Sequence, residues 1–134
     1  MPHIDPDREA WELFKGLPRD RPIHMLNLIT LKTRAEYPEG HPGHGKDISG
    51  ADAYRAYGRG IAPVFERLGA RQVWAGRPQV MVTGPGSEAW ELAFIDMVRD
   101  PHYRTEVVPH RTAAVSDSRL LCLEPLESGG TLGE

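Results

Sequence analysis

The chain has 134 residues, enough for one domain with a core of its own, and its 40% hydrophobic and 26% charged residues are ordinary for a protein that folds in water. No apolar run reaches the roughly 20 residues that a membrane-spanning helix needs. The formal net charge of -3, with both signs spread along the chain, lacks the basic stripe that nucleic-acid phosphates demand. Neither membrane nor nucleic acid is expected as a partner.

The opening Met1-Pro2-His3-Ile4-Asp5-Pro6-Asp7 has early acids and no apolar signal core, so the expected location is cytoplasmic. Asp5 is placed to cap a short helix, with Pro6 at its first position, Asp7 and Glu9 in its first turn, and Gly16 and Pro18 as stop signals. Ala10, Trp11, Leu13, Phe14 and Leu17 share one face, which needs a surface to cover it. Ile23 to Lys32 is dense in strand formers. One parity (Ile23, Met25, Asn27, Ile29, Leu31) is apolar except for Asn27, and the other also carries Leu26 and Leu28, as a central strand would.

Thr33 to Gly50 is rich in Pro, Gly and charge and reads as a long surface loop, a length at which loops are often functional lids. Within it, His41 and His44 have metal-pair spacing, but no Cys lies near and no metal is expected. Nor do Gly40, Gly43, Gly45 and Lys46 make a phosphate loop, because no strand leads in and no Ser or Thr follows the lysine. Ser49 or Asp52 can cap a helix through Tyr54, Tyr57, Ile61, Val64, Phe65 and Leu68, ended by Gly69 and bent or divided at Pro63. Strands are then expected over Arg71 to Gly76, Gln79 to Gly84 and Trp90 to Ile95. A helix over Val98 to Val108 and a closing strand over Arg119 to Leu123 follow, with a frayed tail from Ser128. Cys122 cannot form an internal disulfide and is expected to be a small buried hydrophobe rather than a nucleophile. This order of elements predicts an α+β fold of the ferredoxin-like kind, helices covering one face of an antiparallel sheet. The bare face would be closed by a second copy in a homodimer. The expected organisation is an N-terminal helical extension (1–22), the ferredoxin-like domain (23–125) and a flexible tail (126–134).

The pieces Met25-Leu26-Asn27-Leu28-Ile29, Arg34-Ala35-Glu36-Tyr37-Pro38, Ala53-Tyr54-Arg55-Ala56-Tyr57-Gly58, Val73-Trp74-Ala75-Gly76, Met97-Val98-Arg99-Asp100-Pro101-His102-Tyr103 and His110 to Leu120 together resemble the 1330 family of domains of unknown function. The resemblance spans about Ile23 to Leu123. It implies the dimeric α/β-barrel superfamily, which also contains antibiotic-biosynthesis-type monooxygenases, muconolactone-isomerase-like enzymes and haem-degrading or chlorite-dismutase-like proteins, and it implies no known activity for this branch. One departure stands out. Asp96 runs straight into Met97 where the pattern usually has a strand end and a helix start. Either the second helix is shortened, or a stretch is absent from the sequence; the second is favoured, because losing a helix start would uncover core.

The chemistry-bearing residues each have two readings. His110 is the acid/base candidate, since histidine titrates near neutrality; Asp117 or Glu106 could orient it, and Arg111 or Arg119 could hold an anion. Equally, Arg111, Asp117 and Arg119 could be an ion network that ties helix to strand. Asn27 could orient a ligand or be satisfied by neighbouring backbone. Tyr54 and Tyr57 share a helix face, and Trp74 sits on a strand; each could be core, ligand wall or, for Trp74, dimer interface. Two functions follow. One is a cofactor-free enzyme acting on a small anionic or carbonyl-bearing metabolite through His110. The other is a non-catalytic homodimer that binds a small molecule or serves structurally.

Overall fold

The computed structural model describes residues 2–18, 20–96 and 108–126. Its elements run α1 (Arg8–Lys15), β1 (His24–Leu31), α2 (Gly50–Leu68), β2 (Gln72–Gly76), β3 (Leu92–Asp96), α3 (Val108–Ala114) and β4 (Val115–Leu123). The four strands form one sheet in the order β2-β3-β1-β4, every neighbouring pair antiparallel. The fold is therefore α+β, with β1 in the middle as its dense apolar sequence requires. Among the described residues no helix is long and apolar enough to cross a membrane.

Period-two alternation sets the two faces. Met25, Asn27 and Ile29 are buried, while His24, Leu26 and Leu28 between them are only half-buried. Register carries this across the sheet. Ile29 pairs with Ser118, Asn27 with Leu120 and Phe94, and Met25 with Cys122, so these residues share the helix-side face. Leu26 pairs with Ile95 and Leu121, and Ile95 with Trp74, so these share the opposite face. The core joins Ile29, Phe94 and Val115 to Ala53 of α2 and to Ala113 and Ala114 of α3. Three alanines at this contact let both helices lie close to each other and to the sheet.

The helix signals hold with two adjustments. Asp7, not Asp5, caps α1: its Oδ1 accepts from the Ala10 N–H at 2.7 Å, and Pro6 therefore stands before the helix. Ser49 caps α2, accepting from the Asp52 N–H at 3.0 Å, and Gly69 closes it in the left-handed region at φ 71°. Pro63 does not divide α2, which runs unbroken from Gly50 to Leu68. Gly50 is required at its position, since a Cβ there would lie 1.9 Å from the Lys32 carbonyl oxygen.

The strand expectations need more revision. Gln79 to Gly84 is irregular, β3 begins at Leu92 rather than Trp90, and β4 begins at Val115 rather than Arg119. The closing strand is also not buried. It lies at the sheet edge, where Leu120, Leu121 and Leu123 are exposed and Cys122 is only partly covered, so the thiol is not the buried hydrophobe expected. Most of the expected helix from Val98, the Asp96 to Met97 junction, Glu106 and the tail from Ser128 lie outside the described residues.

Candidate functional site

The crowded stretch from His110 to Arg119 is split by the helix-to-strand junction at Ala114 and Val115 into two groups with different partners. His110, on α3, faces the 33–49 segment. Its Nδ1 lies 2.7 Å from the Tyr37 hydroxyl. Tyr37 is stacked on His41 with ring centroids 4.5 Å apart, and both rings meet His110 edge-on at 5.5 Å. Burial, then His41 and then Arg59 hold the His110 imidazole below its usual pKa, and burial pushes the Tyr37 phenol up. Both groups are thus favoured in their neutral forms.

The 33–49 segment is not an open lid. Ala35 N–H donates to Ile48 O at 2.8 Å, Glu36 N–H to Ala113 O at 3.0 Å, and Arg34 pairs with Asp47 at 2.8 Å. His41 Nδ1 accepts from the Gly43 N–H at 3.0 Å, whereas His44 Nδ1–H donates to the Tyr37 carbonyl at 2.9 Å, so the two histidines are turned to separate tasks. Gly43 rests against Tyr37, where a Cβ would come within 2.7 Å of the ring. Tyr37 and His41 are not legible as partners of His110, because the separation of 73 positions between Tyr37 and His110 is closed only by tertiary structure.

The second group ties down the N-terminus. Asp117 accepts from the His3 N–H at 2.8 Å and from Arg119 at 2.9 Å. The His3 N–H, above all, holds its carboxyl below the usual range. Arg111 donates to the Ile4 carbonyl at 2.6 Å and to Ser118 Oγ at 3.3 Å, and Ser118 Oγ–H donates to the His3 carbonyl at 2.6 Å. Arg119 also pairs with Glu88 at 3.6 Å and lies 5.3 Å over the Trp90 ring. His110 bonds Tyr37 rather than Asp117. The reason is geometric: Asp117 pairs with Thr30 on the face of the sheet away from the helices, and His110 rides on α3.

The strap of His3 and Ile4 leads into α1, and α1 hangs over the helix-side face of β1 and β4. Between them lies a cleft of about 500 Å³, its roof including Trp11 and Phe14 and its floor including Met25, Leu120 and Cys122. Burial raises the Cys122 thiol pKa, keeping it protonated. None of α1 is fully buried, and Leu13 and Leu17, which also line the cleft, stay exposed, so the amphipathic face is only partly covered. Asn27 lies beside this floor. Its direct partner Leu120 and its neighbour Met25 both line the cleft; it is 7% exposed, and its Oδ1 has no hydrogen-bond partner among the described residues.

The remaining candidates sit elsewhere. Tyr54 packs against the core and approaches Phe94, with centroids 6.4 Å apart, and Tyr57 lies 5.4 Å from Tyr54. Trp74 stands on the opposite face, 53% exposed. The site residues read from sequence therefore fall into the His110 and Tyr37 pair, the N-terminal strap, the surroundings of the cleft, the α2 contact with the core and the opposite sheet face rather than one centre.

No family model and no curated protein matches the chain. Among solved structures it is similar to the RPA0582 protein of unknown function from Rhodopseudomonas palustris, with a TM-score of 0.81 and 46% identity over 95% of this chain and 99% of that one. The methylated RPA0582 protein gives a TM-score of 0.82 and 46% identity over 96% and 98% of the two chains. Identity at that level over nearly the full length of both chains shows more than a shared fold, and the chain belongs to the same family as this Rhodopseudomonas palustris protein of unknown function.

Proposed function

We propose that the chain is a homodimeric ferredoxin-like protein, a dimeric α/β barrel of the 1330 family of domains of unknown function, which binds a small apolar molecule beneath α1. The observation that carries the binding role is the cleft of about 500 Å³. Its volume lies within the roughly 300–1,000 Å³ of ordinary ligand sites, and its walls are mainly apolar, with polar groups from His3, Asp5, Asp7, Ser118 and Arg119. The strand-helix-strand-strand-helix-strand order of β1 to β4 and the sheet order β2-β3-β1-β4 support the ferredoxin-like assignment. The homodimer is supported by a row of apolar side chains, Trp74, Ile95, Leu26 and Leu121, that crosses all four strands on the face opposite the described helices.

A neutral fluorophore such as N-phenyl-1-naphthylamine tests the cleft, because its emission rises on transfer from water to an apolar site. A saturable rise is expected, and Leu120→Trp, which fills the cleft, should remove it. An unsaturable signal, or one that Leu120→Trp leaves intact, would refute the binding role. One observation favours a second reading, a cofactor-free enzyme with His110 as acid/base on a carbonyl-bearing metabolite. It is the neutral imidazole bonded at 2.7 Å to a phenol, an arrangement able to take up and return a proton. Arg111 and Arg119 are committed to the strap and to Asp117, Glu88 and Trp90, so neither is a free anion holder for that chemistry.

A further inference from the structure

Buried polar atoms in folded proteins nearly always have a partner, and the described residues leave Asn27 Oδ1 without one. The position makes this informative. On the helix-side face Asn27 has Met25 two residues before it, Leu120 directly beside it on β4, and Ser118 and Cys122 on the diagonals. All four neighbours line the cleft. On its other side stand Ile29 and Phe94, which belong to the dry core. The amide thus lies just behind the floor of the cleft, between those lining residues and the core.

We infer that Asn27 Oδ1 is the hydrogen-bond acceptor of the ligand site, so that the ligand has an apolar body, aromatic or alicyclic in size, and a hydroxyl or N–H donor at its buried end. The inference rests on the cleft being the binding site and adds to it the chemical class of the ligand. An amide oxygen accepts only, so it selects for a donor; a ligand ending in an ether or a bare hydrocarbon would enter the same cavity and leave the oxygen unsatisfied. A site built around a buried acceptor discriminates against analogues that lack the donor more sharply than an apolar pocket discriminates by shape. Trp11 in the roof serves as an intrinsic reporter.

The test compares 2-naphthol with 2-methoxynaphthalene, two bodies of one shape that differ in the donor, by titration calorimetry and Trp quenching on the wild-type chain and on Asn27→Leu. The expected result is binding of 2-naphthol tighter by at least about tenfold in the wild type, with that preference lost in Asn27→Leu while 2-methoxynaphthalene binds the variant as well or better. Equal binding of the two compounds to the wild type overturns the inference and leaves the cleft as a purely apolar site. A preference that survives in Asn27→Leu overturns it also, by placing the acceptor elsewhere. Failure of both compounds and of the neutral fluorophore to bind removes the cleft reading and this inference together. The wild-type comparison stands even where the variant folds poorly.

Discussion

Tyr37→Phe separates a structural latch from mere proximity in the Tyr37 and His110 pair. The substitution keeps the ring, and with it the stack on His41 and the contact with Gly43, and deletes only the hydroxyl 2.7 Å from His110 Nδ1. A net hydrogen bond is worth about 0.5–1.5 kcal/mol, and a ring nitrogen left without its partner adds to the loss, less so where water can reach it. His110 is only half-buried, so a loss of about 1–2 kcal/mol is expected, or roughly 4–8 °C in Tm for a chain of this size. Urea unfolding followed by circular dichroism, run as a double-mutant cycle with His110→Leu, isolates the pair term. The sign with pH follows from the depressed His110 pKa. Its folded value lies below the ordinary one of about 6.5, so its contribution is full above that pH and is lost as pH falls through the folded value. The cycle is therefore run at pH 7.5. A coupling below about 0.3 kcal/mol there would refute the latch, because independent sites already add to within that margin.

Three further outcomes are expected. Asp117 has a depressed pKa, so its stabilising effect is present above the ordinary carboxylate value and fades as pH falls through the folded one. Asp117→Asn should flatten the acid limb of a thermal-stability profile and speed proteolysis near His3; an unchanged limb counts against the strap. Leu121→Glu puts a charge in the Trp74, Ile95, Leu26 and Leu121 row and should give a monomer by light scattering where the wild type gives a dimer; a wild-type monomer would remove the dimer proposal. Asn27→Leu replaces a buried, unsatisfied amide with a residue of similar size and should stabilise the free protein by about 1–2 kcal/mol in urea unfolding; a loss of that size would mean the amide has a partner in the free state.

What could be read from sequence was local. Ser49, Gly69 and the alternation from Met25 to Ile29 act over a few residues, and each is realised. Misread elements failed where tertiary context decides. Val80, Met81 and Val82 have strand propensity, but they pair with none of the described strands and stay irregular and exposed. Apolar Leu120 to Leu123 has the composition of a core strand, and nothing in its sequence marks β4 as an edge strand, which is why Cys122 is expected to be buried and is not. Asn27 is legible in the sequence as the polar break in an apolar parity, and it is buried with that parity in the sheet. Asp117 could not be kept from His110 on paper, since their seven-residue spacing passes through a helix-to-strand junction that turns them to different faces.

The cost of burying polar groups sorts these residues by role. Arg111, Asp117 and Ser118 are each bonded to the backbone of His3 or Ile4, and Arg111 also to Ser118 Oγ. Their work is to fix the strap, and the strap fixes where α1 hangs. Because α1 has no fully buried residue of its own, the height of the cleft depends on those bonds more than on packing of the helix. Arg111 and Asp117 thus set the shape of the site without lining it. Asn27 is the opposite case, a buried group just behind the cleft floor with an acceptor to spare, and a chain that keeps such a group has given up stability where a donor-bearing ligand restores it.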